Sequence, residues 1–133
     1  AENREEPVMT ERVRISVGDV TIIAALRDTP TANAVARACP IDGTARTWGD
    51  EVYFAADLDV PPDPDQRAVV EPGEIAYWIE GGAIAIGYGP TPASDGDEIR
   101  LAAPVNIFAD ADPDEVRRLK GCRGGEPVKV THL

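Results

Sequence analysis

Short apolar segments separated by glycine- and proline-containing turns run through most of this chain. Residues 13–17 alternate apolar and polar side chains, Gly18-Asp19 supplies a two-residue turn, and residues 20–26 resume the apolar pattern, which predicts a β-hairpin. Strands this short and this numerous favour a mainly β fold in which the sheet closes, or nearly closes, into a barrel. The sequence predicts further strands at residues 52–55, 68–70, 75–79, 83–88, 105–109 and 128–132.

Two short helices are expected at the ends of this barrel. A side chain of residues 28–29 can cap the first helix, and Pro30 suits its first position because the missing N–H costs nothing there. Pro40 stops this helix. Asp112 can cap the second helix, and Gly121 ends it.

The length of 133 residues predicts a single domain. The first residues are polar and charged without periodicity, so we expect a flexible N-terminal arm at residues 1–11 and the domain at residues 12–133. No apolar run approaches the roughly 18 residues that a membrane-spanning helix needs. The N-terminal residues also lack an apolar segment like that of a signal peptide, and we therefore expect a cytoplasmic location.

The charge and the scarcity of histidine and cysteine narrow the possible chemistry. The formal net charge of −11 disfavours nucleic acid and anionic membranes as partners, because phosphate binding needs clustered Lys and Arg. His132 is the single histidine, which argues against a histidine-based triad and a multi-histidine metal site. Cys39 and Cys122 share no motif and are expected to be reduced thiols. We expect neither a metal nor a cofactor.

Both tryptophans and all three tyrosines fall in three segments, at residues 47–54, 77–78 and 87–92. This clustering indicates either one lined pocket or one small core. Strand alternation places Glu51 on the same face as one of the tyrosines, where a carboxylate could hold a cationic or hydrogen-bonding ligand and partial burial would raise its pKa. Otherwise Glu51 is an exposed glutamate and the rings belong to the core or the barrel rim. In the pocket interpretation, four aromatic residues line a shallow groove for a planar or apolar ligand: Trp48, Tyr53, Trp78 and Tyr88.

Two further residues are candidates for the same site. Arg46, two positions before Trp48, can pair with a neighbouring carboxylate or lie against the indole. Asn106 lies inside an apolar strand and needs hydrogen-bond partners if it is buried, either in a ligand or in a neighbouring loop. The glycines of residues 87–92 lack the spacing of a phosphate-binding loop.

Four segments carry a resemblance to a known family. They read TWGDEVYF at residues 47–54, VEPGEIAYW at 70–78, YGPTPAS at 88–94 and APVN at 103–106. In this order they resemble the small prokaryotic cyclophilin-like proteins of uncharacterised function, over the chain from about Arg12 to the C-terminus. The resemblance implies a closed cyclophilin-like antiparallel β-barrel of about eight strands capped by two short helices.

The chain departs from active cyclophilins at the catalytic arginine. Those enzymes place an arginine shortly after a Phe-His pair, in a strand that matches residues 52–56, whereas here two alanines follow Phe54 and the next arginine is Arg67. Loss of one well-placed charged donor typically costs about 2.7–4 kcal/mol of transition-state stabilisation. We therefore expect a non-catalytic module that binds a small molecule or a peptide. The alternative is a peptidyl-prolyl isomerase with a site rebuilt around Arg46, and association into a homodimer is open.

Overall fold

The computed structural model describes residues 11–133, and residues 1–10 of the predicted arm lie outside this range. Within the described residues the chain forms ten strands, two α-helices and a 3-10 turn. The helices are α1 (Pro30–Ala38) and α2 (Pro113–Arg117), and the 3-10 turn is Arg118–Gly121. The strands are β1 (Arg12–Val17), β2 (Val20–Leu26), β3 (Ile41–Thr44), β4 (Arg46–Thr47), β5 (Glu51–Ala55), β6 (Arg67–Val70), β7 (Glu74–Trp78), β8 (Ala83–Gly87), β9 (Ile99–Ala111) and β10 (Pro127–His132).

The hairpin predicted at the start of the domain is confirmed. β1 and β2 are antiparallel, and Val17 pairs with Val20 across the two-residue turn. Glu11, which the sequence placed in the arm, is tied to this hairpin because the Leu26 N–H donates to the Glu11 carbonyl oxygen at 2.8 Å.

The sheet closes through residues 41–47. Its strand order is β3-β10-β1-β2-β9-β7-β8-β5-β4, and the paired strands are antiparallel. The two strands at the ends of this order are consecutive parts of one stretch of chain, in which β3 pairs with β10 and β4 pairs with β5. If β3 and β4 are counted as one interrupted strand, the order contains eight strands in a nearly closed circuit. The predicted barrel is therefore confirmed.

Both predicted helices are confirmed, with one correction. The Thr29 side chain accepts from the Ala32 N–H at 3.1 Å and caps α1, and the Asp112 carboxylate caps α2 by accepting from the Asp114 N–H at 2.8 Å. The second helix was expected to reach Gly121, but α2 ends at Arg117 and tightens into the 3-10 turn, as helix C-termini often do. Among residues 11–133, no helix combines the length and the apolar character needed to cross a membrane.

Alternate residues of the barrel strands point inward and form the main core. Its largest fully buried side chains are Tyr77, Phe54 and Phe108, surrounded by Val and Ile residues. Val35 of α1 and Val116 of α2 belong to this same core. The helices therefore cover the barrel and do not form a separate core.

A second apolar cluster lies on the opposite, outer face of part of the barrel wall. Ala85 belongs to it, whereas its strand neighbours Ile84 and Ile86 belong to the main core, as alternation along β8 requires. The cluster is covered by β6 and by residues 99–105 of β9. These two segments pair with each other and do not belong to the eight strands of the barrel wall. We call β6 and residues 99–105 the outer layer. The sequence predicted only residues 105–109 of β9, so this half of the strand and the closing stretch at 41–47 were missed.

Candidate functional site

A cavity of about 150 Å³ opens between the outer face of the barrel wall and the outer layer. We call it the outer cavity. It lies outside the barrel, on the side of β5 and β8 that faces away from the main core. Its lining residues are Trp48, Glu51, Tyr53, Trp78, Ala85, Leu101, Ala102 and Val105.

Strand alternation explains the floor of the outer cavity. Val52 and Phe54 of β5 enter the main core, so Glu51 and Tyr53 point to the outer face, as the sequence predicted for this pair. Tyr53 lies opposite Ala85 in the β5–β8 ladder, and Ala85 in turn lies opposite Ala76 of β7. These two alanines lie side by side on neighbouring strands, next to a tyrosine, and their small side chains leave unfilled volume on this face. That volume contributes to the cavity.

The walls come from a turn and from the outer layer. The Trp48 N–H donates to the Glu51 carbonyl oxygen at 3.0 Å, so the tight turn before β5 fixes the indole next to the start of that strand. On the other side, Leu101 and Val105 project from the outer layer. Ala102 is exposed and lies where the cavity meets the surface.

Among the described residues, Glu51 is the one that contributes a carboxyl group to this lining, and it is buried. Its side chain is 5% exposed, yet among the described residues none donates a hydrogen bond to its carboxylate or pairs with it as a cation. Burial without such a partner disfavours the charged form, and it raises the pKa of the Glu51 carboxyl from 4.5 to about 7. Protonated and ionised forms are therefore both populated near neutral pH.

Among the described residues, Trp78 carries the one polar side-chain atom that is fully buried without a hydrogen-bond partner. Its indole Nε1 is buried, and no acceptor among the described residues reaches it. The ring lies directly against Gly81, and a Cβ atom at that position would overlap the six-membered ring of the indole. An unpartnered buried N–H costs about 1–3 kcal/mol, so the site combines two polar groups whose hydrogen-bonding capacity the fold leaves unused.

The family described as cyclophilin-like matches residues 11–131. This chain belongs to the cyclophilin-like family. The resemblance seen in the four sequence segments is thereby confirmed.

The solved structures that are similar to this cyclophilin-like chain include two with different degrees of likeness. The solution structure of the hypothetical protein AF2241 from Archaeoglobus fulgidus has a TM-score of 0.78 and 36% sequence identity, and the match covers 98% of this chain and 100% of that one. The structure of McbB in complex with tryptophan has a TM-score of 0.62 at 13% identity, covering 90% of this chain and 44% of that chain. At that identity the likeness is one of fold. Among curated proteins, none matches this sequence.

The cyclophilin-like fold brings four of the seven predicted site residues together, and the other three lie elsewhere. Tyr88 packs against the main core, and burial raises the pKa of its hydroxyl. Arg46 lies opposite Tyr53 in the β4–β5 ladder, so its exposed side chain emerges on the outer face beside the cavity but not in its lining. Residues 11–133 contain no group of three His, Cys, Asp or Glu placed to hold a metal.

The Asn106 side chain is hydrogen-bonded to the neighbouring loop. Its Oδ1 accepts from the Asp63 N–H and from Gln66 Nε2, both at 2.8 Å. Its Nδ2 donates to Thr31 Oγ1 at 3.0 Å and to the Pro61 carbonyl oxygen at 2.9 Å. These four bonds use the capacity of the carboxamide, so Asn106 holds the proline-rich loop of the cyclophilin-like barrel against α1.

Four lining residues of the cyclophilin-like site were not predicted. Ala85 and Ala102 carry no chemical signal in a sequence, because alanine marks a cavity only when its cross-strand neighbours are known. Leu101 does carry a signal, because the apolar residues Ile99 and Leu101 flank the charged Arg100 in the alternation that is typical of a strand. The run is short and Pro104 follows it, so the first half of this strand was missed. Val105 was predicted to lie in a strand but not to line the cavity.

Proposed function

We propose that this cyclophilin-like protein binds a small molecule in the outer cavity, without chemical turnover. One observation carries the proposal: Glu51 is buried in a preformed, mainly apolar cavity and has no protein partner among the described residues. A buried carboxyl without a partner is costly to maintain. A ligand that supplies the missing partner would recover that cost, which is typical of a binding site and not of a packed core.

The size of the cavity favours a small ligand over an extended peptide. A dry apolar cavity of about this volume accommodates one benzene-sized molecule in other proteins, and the outer cavity measures about 150 Å³. Several peptide residues would not fit. A single ring or a single compact side-chain-sized group would fill it.

The polarity of the lining supports binding without catalysis. Glu51 and Tyr53 are its titratable side chains, and within the described lining there is no Ser, Cys, His or Lys to act as a nucleophile or a second acid. Acid–base and covalent mechanisms need at least two groups in defined roles. A hydrogen bond from a ligand to an ionised Glu51 is worth about 1.5–3 kcal/mol, enough to orient a small ligand.

The isomerase alternative rests on Arg46 and has less support. Its guanidinium would have to reach the cavity from outside the lining, because the side chain is exposed and forms no ion pair among the described residues. A protease-coupled assay on proline-containing peptides tests it. Equal rates for the wild-type protein and Arg46→Ala would exclude the alternative. A cytoplasmic location, a homodimer and the absence of nucleic-acid partners remain predictions from the sequence.

The proposed function is tested by a fragment titration followed by NMR. We expect single-ring probes such as aniline, phenol, imidazole and benzylamine to shift the backbone amides of β5 and residues 99–105 saturably. Ala85→Val, which places two methyl groups in the cavity, should abolish these shifts, whereas Ala93→Val at an exposed position should not. If no probe shifts the lining amides at millimolar concentration, or if Ala85→Val binds as the wild type does, the proposed function is wrong.

A further inference from the structure

We propose that the outer cavity selects a methylated ammonium group, bound among three aromatic side chains and paired with the Glu51 carboxylate. This inference rests on the proposed function and specifies its ligand. Among the described residues of the lining, three side chains carry aromatic rings, one is acidic, four are aliphatic and none is basic.

The rings supply attraction for a cation. The face of an indole or phenol ring carries partial negative charge, and desolvated cation–π contacts are worth up to about 2 kcal/mol each. Trp48, Tyr53 and Trp78 line one compact cavity together with a carboxylate. Several rings around one acidic group form an environment in which a positive charge is stabilised from more than one side.

The shortage of acceptors selects a methylated cation over other cations. A primary ammonium carries three N–H donors and a guanidinium carries five. The side-chain acceptors of the lining are the Glu51 carboxylate and the Tyr53 hydroxyl. Most N–H groups of an unmethylated cation would therefore be desolvated without partners, at a cost of about 1–3 kcal/mol each. A quaternary ammonium has no N–H group and avoids that cost, and it pairs with Glu51 through charge and not through a hydrogen bond. The buried Trp78 N–H then requires an acceptor from another part of the ligand, such as the hydroxyl group of choline.

Size and long-range charge agree with this choice. A trimethylammonium head is close in volume to benzene, for which a cavity of about this volume suffices, and the outer cavity measures about 150 Å³. The net charge of −11 raises the concentration of cations at the surface.

Among residues 11–133, three arginines lie near the lining residues of the cavity. Arg67 lies opposite Val105 in the β6–β9 ladder and is paired with Glu74, with 2.7 Å between its Nη2 and the carboxylate. Arg100 is engaged by Glu98, with 2.7 Å between its Nε and the carboxylate, and strand alternation turns it away from the face of Leu101. Arg46 is exposed opposite Tyr53 and makes no ion pair among the described residues. It therefore opposes a cationic ligand, and Arg46→Ala should tighten cation binding.

The fluorescence of the protein provides a clean readout. The chain has two tryptophans, and both line the outer cavity, so its emission reports on the site without background from other indoles. At constant ionic strength, choline and tetramethylammonium are titrated beside 3,3-dimethylbutan-1-ol, which has the shape of choline without the charge. We expect saturable emission changes with both cations and at least tenfold weaker binding of the neutral alcohol.

Substitutions separate charge from shape. Glu51→Gln should weaken choline binding at least tenfold and leave the alcohol unchanged, whereas Glu80→Gln, which removes the same charge at an exposed position, should change neither. Circular dichroism confirms that each variant is folded. A second arm compares a trimethyllysine peptide with its unmethylated form. Binding of the methylated peptide more tightly than free choline identifies a protein-borne group, and weaker binding identifies a free small molecule.

The outcomes distinguish this inference from the proposed function. Equal binding of choline and the neutral alcohol, or unchanged choline binding by Glu51→Gln, would overturn the selection of a cation while the cavity remained a small-molecule site. Binding of neutral single-ring probes without any binding of the cations would do the same. Failure of every probe, charged or neutral, would overturn the proposed function together with the inference.

Discussion

Glu51 lies directly opposite Gly87 in the β5–β8 ladder, and the missing side chain at Gly87 makes room for Ile99 above this part of the barrel wall. A Cβ atom at Gly87 would overlap the Ile99 Cγ2 methyl group and approach Leu101 Cδ2 to 3.4 Å. The outer layer can therefore come close to the wall at this point. This close approach helps to bury the carboxyl group of Glu51 and to form one side of the outer cavity.

Gly87→Ala should disturb the outer layer and leave the barrel intact. The added methyl must displace Ile99, and overpacking of this kind typically costs about 1–3 kcal/mol. We expect a lower free energy of unfolding in chemical denaturation and chemical-shift changes concentrated in β6 and residues 99–105. Gly121→Ala is the matched control, because a Cβ atom there meets nothing within 4 Å. Equal stability of the two variants would show that the outer layer does not depend on this contact.

Glu51→Gln should stabilise the protein, and the gain should grow with pH. The pKa of the Glu51 carboxyl is about 7 in the folded state against 4.5 ordinarily, so between these values the folded protein retains a proton that the unfolded chain has lost. Rising pH therefore destabilises the wild type across this window, by about 1–3 kcal/mol in total. The neutral amide removes this dependence.

Chemical denaturation at pH 5 and pH 8 tests the Glu51 prediction. Most of the difference between wild type and Glu51→Gln should develop between these two values, because the folded pKa of about 7 lies between them. Glu80→Gln removes an exposed carboxylate and should follow the wild type at both pH values. A constant difference between wild type and Glu51→Gln would mean that the buried carboxyl is ionised throughout.

Much of the barrel could be predicted from the sequence, and the missing parts have a common cause. The β1–β2 hairpin, α1 and β5 carry local signals, namely alternation, a cap and a turn. The closing stretch at 41–47 carries few local signals, because most of its residues are polar or exposed. Its pairing also depends on β10 and β5, which are distant in sequence from each other. Closure of a barrel is a tertiary property, and a local pattern does not record it.

The candidate site was predicted only in part for a related reason. Alternation placed Glu51 and Tyr53 on one face, and the structure puts both in the outer cavity. Tyr88 was grouped with them because the aromatic residues cluster in the sequence. The strand before it, β8, is apolar on both faces, so its sequence does not show which side faces the barrel interior. Residues buried on both sides of a strand lose the alternation that would assign them to a face.

Glu74→Gln should destabilise the protein at neutral pH and much less in acid. Burial alone would raise the pKa of the Glu74 carboxyl, but hydrogen bonds from Arg67, from the Glu71 N–H and from Arg27 outweigh burial and lower it. A lowered pKa contributes stability that is present above the ordinary value of 4.5 and is lost as pH falls through the folded value.

We expect a loss of about 1–3 kcal/mol at pH 7, because both arginines are partly exposed and can regain water. Denaturation at pH 7 and below pH 4 measures it, with Glu80→Gln as the variant that lacks buried partners. A loss that stays the same size in acid would show that the packing of Glu74, and not its charge, stabilises this end of β7.

Asn106→Ala should release the loop at residues 57–66 while sparing ligand binding. The substitution removes all four bonds of a fully buried carboxamide and leaves the Asp63 N–H and the Pro61 carbonyl without their partner, at a cost of about 2–4 kcal/mol. Limited proteolysis should cut this loop faster than in the wild type. Thr31→Val removes only the single bond to the Asn106 amide, so it should cost about 1 kcal/mol and leave the loop resistant.

Because Asn106 lies outside the outer cavity, the folded Asn106→Ala variant should bind probes as the wild type does. Loss of binding with an intact fold would instead make Asn106 part of the ligand site.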